Sequence, residues 1–244
     1  MVWLQLNKIH NWDCLELMKQ IPDWSIDCII TDPPYWTTAY KWDIVIPFEP
    51  MREQLKRIIK PNGAIVLFGS EPFSSALRMS NINMYKYDWI WNKKKWWNPL
   101  LSKKQPIKIT ENIIVFNSKI YIPQMTERDK PKSRGSNNGT ISETTWNSFT
   151  ENKVYTQKYP KNIIEISNAN QKWKVHPTQK PVALIEYLIR TYTNEWETVL
   201  DFTIGSGTTA IACINTNRNF IWFELDEWYY NIANKRIQDR LSEK

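Results

Sequence analysis

Short apolar runs alternate along this chain with segments whose apolar residues recur every three or four positions. Residues 27–31, 64–68, 198–202 and 219–223 are runs of the first kind and predict buried strands. Residues 5–10 alternate apolar and polar side chains and predict a further strand. Met51, Leu55, Ile58 and Ile59 give 48–59 a helical spacing. Val182, Leu184, Ile185, Leu188 and Ile189 do the same behind Pro181, a residue suited to a first helical turn. Shorter helices are predicted from Leu15, over 71–79, from Thr208 and from Glu227, and Pro61-Asn62-Gly63 predicts a turn. Residues 85–91 and 112–116 read as two more strands, a hairpin at a sheet edge. Strands alternating with helices predict an α/β fold with a doubly wound, mostly parallel sheet. An antiparallel edge on such a sheet is ordinary. The pattern lapses over 117–175, where Pro, Ser, Gly and Asn punctuate a basic stretch, and 127–139 reads as a flexible loop.

Two strand ends carry chemistry. The first runs into Thr31-Asp32-Pro33-Pro34-Tyr35. Two successive prolines fix φ twice and remove two donors, so Asp32 and the Pro33 carbonyl form a rigid acceptor pair beside the Tyr35 ring. Such a pair suits an exocyclic amino group on a flat base drawn out of a helix. Alone, the same residues are also ordinary turn chemistry, with an Asp capping a turn. The second strand runs through Asp201 and Phe202 into Ile204-Gly205-Ser206-Gly207 and a helix. Strand, Gly-x-Gly turn and helix form a nucleotide-type βα turn, although the third glycine of the dinucleotide fingerprint is absent. Glu224 ends the following strand, where an acid would hold a ribose diol.

Asp-Pro-Pro-Tyr followed by Phe-x-Gly-x-Gly resembles the S-adenosylmethionine-dependent DNA amino-methyltransferases, in the motif order of their β group. Asn11-Trp12-Asp13-Cys14-Leu15 is similar to the family's N-terminal segment, and His176-Pro177-Thr178-Gln179-Lys180-Pro181 to the one preceding the cofactor motif. The resemblance covers nearly the whole chain. It implies a Rossmann-like methyltransferase sheet in one composite domain: a catalytic half over 1–116, a target-recognition insert over 117–175 and a cofactor-binding half over 176–244. It implies S-adenosylmethionine as cofactor and methylation of adenine N6 in double-stranded DNA. N4 of cytosine, an RNA methyltransferase of the same fold and an inactive phage DNA-binding module are the alternatives. Asp32, Pro33, Pro34 and Tyr35 are then catalytic, with Tyr35 stacking on the base for roughly 1–3 kcal/mol. Asp13, Cys14, Thr178, Lys180, Asp201, Phe202, Gly205, Gly207 and Glu224 hold the cofactor. In that scheme Asp13 accepts from the adenine amino group, and Thr178 and Lys180 lie near the methionine carboxylate. Read from the residues alone, Asp13 is equally a helix cap.

Charge adds a partner. Residues 92–180 hold 15 Lys and 2 Arg against 5 Glu and 1 Asp, a net of +11, whereas the whole chain carries +7. A basic middle in an acidic frame predicts a polyanion contact, and Lys93, Lys94 and Lys95 are expected to meet backbone phosphate. Such contacts position a protein without specifying sequence. Three scattered cysteines and two histidines provide no disulfide framework and no metal site. No apolar run is long enough to span a bilayer and no signal peptide opens the chain, so a cytoplasmic protein with no membrane partner is expected. A companion restriction nuclease, and monomer versus homodimer, stay open.

Tryptophan numbers 14 and glycine only 6, where average usage gives about 17 glycines in a chain this long. The family usually has glycine where this chain has Trp12, Trp24, Trp36, Trp96, Trp97, Trp196 and Trp222, and Trp173 and Trp228 belong beside them. Pro22-Asp23-Trp24-Ser25, for example, reads as a Pro-Asp-Gly turn. A substitution with one direction, recurring at turns, points to a codon read here as tryptophan and decoded as glycine in the cell. A tryptophan-rich divergent member or a decaying prophage copy is the other reading.

Overall fold

The computed structural model describes residues 4–36, 43–94, 102–133, 154–169, 175 and 178–243. The strands are β1 (Lys8–Asn11), β2 (Ile26–Thr31), β3 (Ile59–Gly69), β4 (Tyr85–Asn92), β5 (Thr110–Phe116), β6 (Thr126–Ser133), β7 (Val154–Lys158), β8 (Ile163–Glu165), β9 (Thr198–Asp201) and β10 (Asn219–Glu224). The helices are α1 (Cys14–Met18), α2 (Phe48–Ile58), α3 (Phe73–Ser80), α4 (Val182–Tyr192), α5 (Thr208–Thr216) and α6 (Glu227–Ser242).

Eight strands form one sheet in the order β1-β10-β9-β2-β3-β5-β4-β8. β1, β10, β9, β2 and β3 pair in parallel, and β5 pairs antiparallel with both β3 and β4. Every residue of β2 is buried, as a central parallel strand with both faces covered requires. Alternation along the strands feeds two core layers. Cys28, Ile30, Val66 and Phe68 pack with Leu188 and Tyr192 of α4 on one face. Ile29, Ile65 and Leu67 pack with Leu55 of α2 and Leu77 of α3 on the other.

Some expectations are corrected. Pro61-Asn62-Gly63 is not a free turn but lies inside β3. Ile26 faces Ile59 and Cys28 faces Ala64, so 60–63 are accommodated as a bulge against β2. A Cβ on Gly63 would stand 2.6 Å from the Asp27 carbonyl oxygen, so the bulge needs glycine. β4 and β5 do pair as a hairpin, yet β8 pairs in parallel outside β4, so they are not the edge. Within 127–139, the stretch expected as a loop, residues 126–133 form β6, which pairs antiparallel with β7. Both strands are largely exposed, which is why no apolar alternation announces them. Residues 123–161, inside the 117–175 stretch, form a second compact unit. Ile122 donates to the Thr191 carbonyl at 2.8 Å and β8 joins the main sheet, which places both flanks in the first unit. Residues 134–139 of the expected loop lie outside the described residues.

Trp24, Trp36 and Trp196 have φ of 51°, 57° and 67°, the left-handed region. Trp222 differs: it is fully buried in β10, stacked on Phe220 at 5.0 Å, with no hydrogen-bond partner for Nε1. The turn argument therefore does not extend to it. Trp12 has no positive φ, and Trp96, Trp97 and Trp173 lie outside the described residues.

Candidate active site

β2 and β9 are neighbours, and the chain leaves them in opposite directions across the sheet, β2 towards β3 and β9 towards β10. Open α/β sheets bind ligands at such a switch point, beyond the carboxyl ends of the strands. A cleft of about 1140 Å³ opens there, lined by both chemical motifs. The two strand ends are bonded to each other. Thr31 Oγ1 donates to Asp201 Oδ1 at 3.1 Å and accepts from the Phe202 amide at 3.2 Å. Thr203 Oγ1 donates to the Asp32 carbonyl at 3.1 Å.

The loop after β2 is held from within. Asp43, buried, accepts from the Tyr35 and Trp36 amides at 2.8 Å each. The Tyr35 ring lies against Phe73, centroids 4.9 Å apart, and its hydroxyl donates to Asp32 Oδ1 and to Glu111 Oε1, the latter at 3.2 Å. Lys180 donates to Asp32 Oδ2 and stands 3.2 Å from Glu111 Oε1, with Phe68 beneath it at 5.0 Å. Lys93 Nζ lies 3.1 Å from Glu111 Oε2. Two carboxylates and two ammonium groups thus balance at the floor of the cleft. Burial raises the Asp32 carboxyl and Lys180 pulls it back, leaving it above the ordinary range. Burial also pushes Glu111 up, but Lys180 and Lys93 outweigh it and hold Glu111 low.

On the β9 side, Asp201 staples the turn. Its carboxylate accepts from Thr31 Oγ1, from the Thr203 amide at 3.1 Å and from Thr209 Oγ1 at 2.6 Å. Burial lifts it to about 7 despite those bonds. Gly205, at φ 53°, donates its amide to Glu224 Oε2 at 2.7 Å, and the Asp226 amide donates to Oε1 at 3.0 Å. Burial raises Glu224 against these two bonds. Phe202 is buried and Thr178 lines the cleft. Asp13 Oδ1 caps α1, accepting from Leu15 and Glu16 amides at 2.9 and 3.2 Å, while the residue also faces the cleft. Burial pushes the Cys14 thiol up to about 12, so it stays neutral at the cleft wall.

Gly207 and three of the expected lysines have structural partners of their own. Gly207 does not line the cleft. It begins α5 at φ 81°, and an added Cβ would lie 3.1 Å from the Ala233 Cβ of α6. Its glycine serves helix packing and a left-handed φ. Gly207→Ala is expected to cost about 1–3 kcal/mol, read as a lower midpoint in thermal or urea unfolding. A midpoint equal to the parent's would refute the packing role. Lys180 is seated on Asp32 and Glu111. Lys93 turns to Glu111 instead of outward, and Lys94 pairs with Glu165 at 3.1 Å. Lys95 and His176 lie outside the described residues.

Sequence reasoning missed Glu111 and Asp43. Each is a lone acid at the head of an apolar stretch, Glu111 before Ile113-Ile114-Val115-Phe116 and Asp43 before Ile44-Val45-Ile46. Glu111 lies at the start of a buried strand, where an acid needs a partner, and that is the signal that was available, whereas Asp43 leads an irregular stretch with Ile44 exposed and had no such signal.

A family model for DNA methylases matches residues 26–235. The chain is 29% identical to the type II methyltransferase M.HpaI of Haemophilus parainfluenzae, over 94% of this chain and 74% of that one. It is 26% identical to the type II methyltransferase M1.MboII of Moraxella bovis, over 95% and 96%. Among solved structures, the M1.HpyAVI–SAM complex superposes with a TM-score of 0.65 at 26% identity, covering 94% of this chain and 98% of that one. PvuII DNA methyltransferase (cytosine-N4-specific) shares the fold, with a TM-score of 0.66 at 19% identity over 96% and 91%.

Proposed function

This chain belongs to the DNA methylase family, and we propose that it methylates N6 of adenine in double-stranded DNA with S-adenosylmethionine. The observation that carries the reading is Asp32 at the tip of β2, bonded through its own strand to the glycine turn after β9. The residues around that turn fit the cofactor. Glu224 offers carboxylate oxygens to a diol, Gly205 brings backbone to the cleft in a conformation suited to glycine, and Asp13 and Phe202 flank the space. Bound there, S-adenosylmethionine supplies the methyl carbon, and its sulfur keeps the electron pair of the bond that breaks.

The protein's part lies at the amino nitrogen. That lone pair is delocalised into the base and is a weak nucleophile. Acceptance of N–H bonds by Asp32 and the Pro33 carbonyl draws the nitrogen towards tetrahedral geometry and localises the pair. The ionised Asp32 is also an acceptor for the proton that the nitrogen sheds after its new bond forms. Asp at the head of the motif favours adenine over cytosine. The relatives' names as type II methyltransferases support a site-specific enzyme with a companion nuclease. The +11 charge of 92–180 supports DNA over a neutral substrate. The test is expression in a methylation-free host, followed by nucleoside mass spectrometry of its DNA. N6-methyladenine is expected. N4-methylcytosine would transfer the reading to the alternative base, and an unmodified genome would end it.

A further inference from the structure

We infer that Lys180 and Glu111 are positioning residues with opposed tasks: Lys180 keeps Asp32 ionised in the cleft, and Glu111 draws the ammonium aside to release that carboxylate to the incoming amino group. The inference rests on the reading above, in which Asp32 accepts from that group. Both Asp32 oxygens already have partners: the Tyr35 hydroxyl on one and the Lys180 ammonium on the other. A base entering the cleft displaces water, and a carboxylate stripped of water and counter-ion takes up a proton. Protonated, Asp32 would present a donor to a donor and lose its use as an acceptor. Lys180 prevents this by placing a positive charge on Oδ2.

The same contact creates a problem, because Lys180 occupies an oxygen that the amino group needs. Glu111 resolves it. Its Oε1 stands 3.2 Å from Lys180 Nζ, so the ammonium sits between two carboxylates. A small displacement towards Glu111 uncovers Asp32 Oδ2 while leaving the charge close by. Glu111 is itself fixed, by Lys93 at 3.1 Å and the Tyr35 hydroxyl at 3.2 Å. Both side chains of the pair are almost fully buried, 9% and 8% exposed. The phenyl face of Phe68 lies under Lys180 Nζ, and Pro181, directly after it, begins the approach to α4. A compact ammonium on a flexible stem can move between two acceptors, whereas a planar guanidinium forks onto both. The charged and titratable groups facing this point are Asp32 and Tyr35 after β2, Lys93 after β4, Glu111 of β5, Lys180 before α4 and Asp201 of β9. Tyr35 stays protonated, raised by burial and by both carboxylates.

The pair predicts shifts of opposite sign. Lys180→Met removes the positive neighbour, so Asp32 should ionise at a pH higher by roughly one to three pH units. Glu111→Gln keeps the shape and removes a negative neighbour, so Asp32 should ionise at lower pH. Two readouts are taken on the full chain. One is the single-turnover methylation rate against pH, with S-adenosylmethionine and the DNA that the parent modifies. The other is a carbon-13 NMR titration of the aspartate carboxyls in the protein without ligands, with Asp32→Asn identifying the resonance. The acid limb of the rate profile should follow the carboxyl titration in each variant, and alkaline pH should restore much of the Lys180→Met rate. Lys180→Arg should keep the parent's limb but turn over at least about tenfold more slowly, because the fork does not leave Oδ2. Coincident titrations and acid limbs in parent, Lys180→Met and Glu111→Gln would overturn the inference, even with all rates lowered. If Lys180→Met does not fold, Glu111→Gln alone decides by the sign of its shift. A parent that methylates no base would remove the reading of Asp32 as acceptor, whereas the ligand-free titration still decides whether this pair sets its ionisation.

Discussion

Asp32→Ala is expected to abolish methyl transfer while leaving S-adenosylmethionine affinity within a few fold of the parent. The carboxylate is bonded to Tyr35 and Lys180, whereas Glu224 is bonded to Gly205 on the proposed cofactor side. A group that accepts a proton or a hydrogen bond in a transition state is commonly worth about 10²–10⁴ in rate. Loss of the carboxylate also leaves the buried Lys180 with Glu111 as its acidic partner, and breaking a buried pair outright costs about 3–5 kcal/mol. Asp32→Asn therefore belongs beside it. It keeps the size and one acceptor oxygen, and it separates lost chemistry from lost fold. Methyl incorporation into DNA measures the first effect and calorimetric titration with the cofactor the second. Transfer by either variant above a tenth of the parent rate would remove Asp32 from the reaction.

Replacing Trp24, Trp36 and Trp196 together by glycine is expected to raise the melting temperature by about 2–12 °C, equivalent to about 1–3 kcal/mol. All three have φ between 51° and 67°. A left-handed conformation costs a residue with a Cβ roughly 1–2 kcal/mol, and a bulky side chain there is an outlier. Glycine gives back about 0.5–1 kcal/mol in unfolded-chain entropy, which leaves a net gain at each site. Little packing is lost in exchange, because the three residues are 64%, 81% and 70% exposed. Asn7, Asn117 and Asn217 share the sign of φ and are of the type that tolerates it. Trp222→Gly should do the reverse. Removing that buried ring costs about 3–5 kcal/mol, which exceeds the roughly 1–3 kcal/mol relieved by deleting its unpaired Nε1. A triple variant that melts at or below the parent would show that the turns accept tryptophan. Peptide mass spectrometry of the protein made in its own cells reads positions 24 and 196 directly. Glycine there establishes the recoded codon, and tryptophan dismisses it.

Much of the fold was legible because its signals are local. Apolar runs of five or six residues marked β2, β9 and β10, and Leu184, Ile185, Leu188 and Ile189 marked α4. The two motifs could be assigned to one edge from sequence because each follows such a run. What sequence could not give were features set by distant partners. β8 is three residues long, and only its pairing with β4 makes it a strand. β6 reads Thr-Glu-Arg-Asp-Lys-Pro-Lys-Ser, with no buried face to create a period. Lys180 stands 148 positions from Asp32, and Glu111 stands 76 from Tyr35, so the charge cluster has no footprint in spacing. The packing demand on Gly207 is hidden for the same reason, since the nearest atom to an added Cβ belongs to Ala233.

The Thr31–Asp201 clasp has a consequence for how such an enzyme can vary. In an in-line displacement the donor carbon and the acceptor nitrogen must meet within a few tenths of an ångström, and an error of about 1 Å can cost 10²-fold in rate. In the proposed reaction, the separation between its two halves would be fixed by the pairing of β2 with β9 and by the Thr31 and Thr203 hydroxyls that join their ends. A spacing built into the sheet itself would stay constant whatever the surface around the cleft comes to recognise.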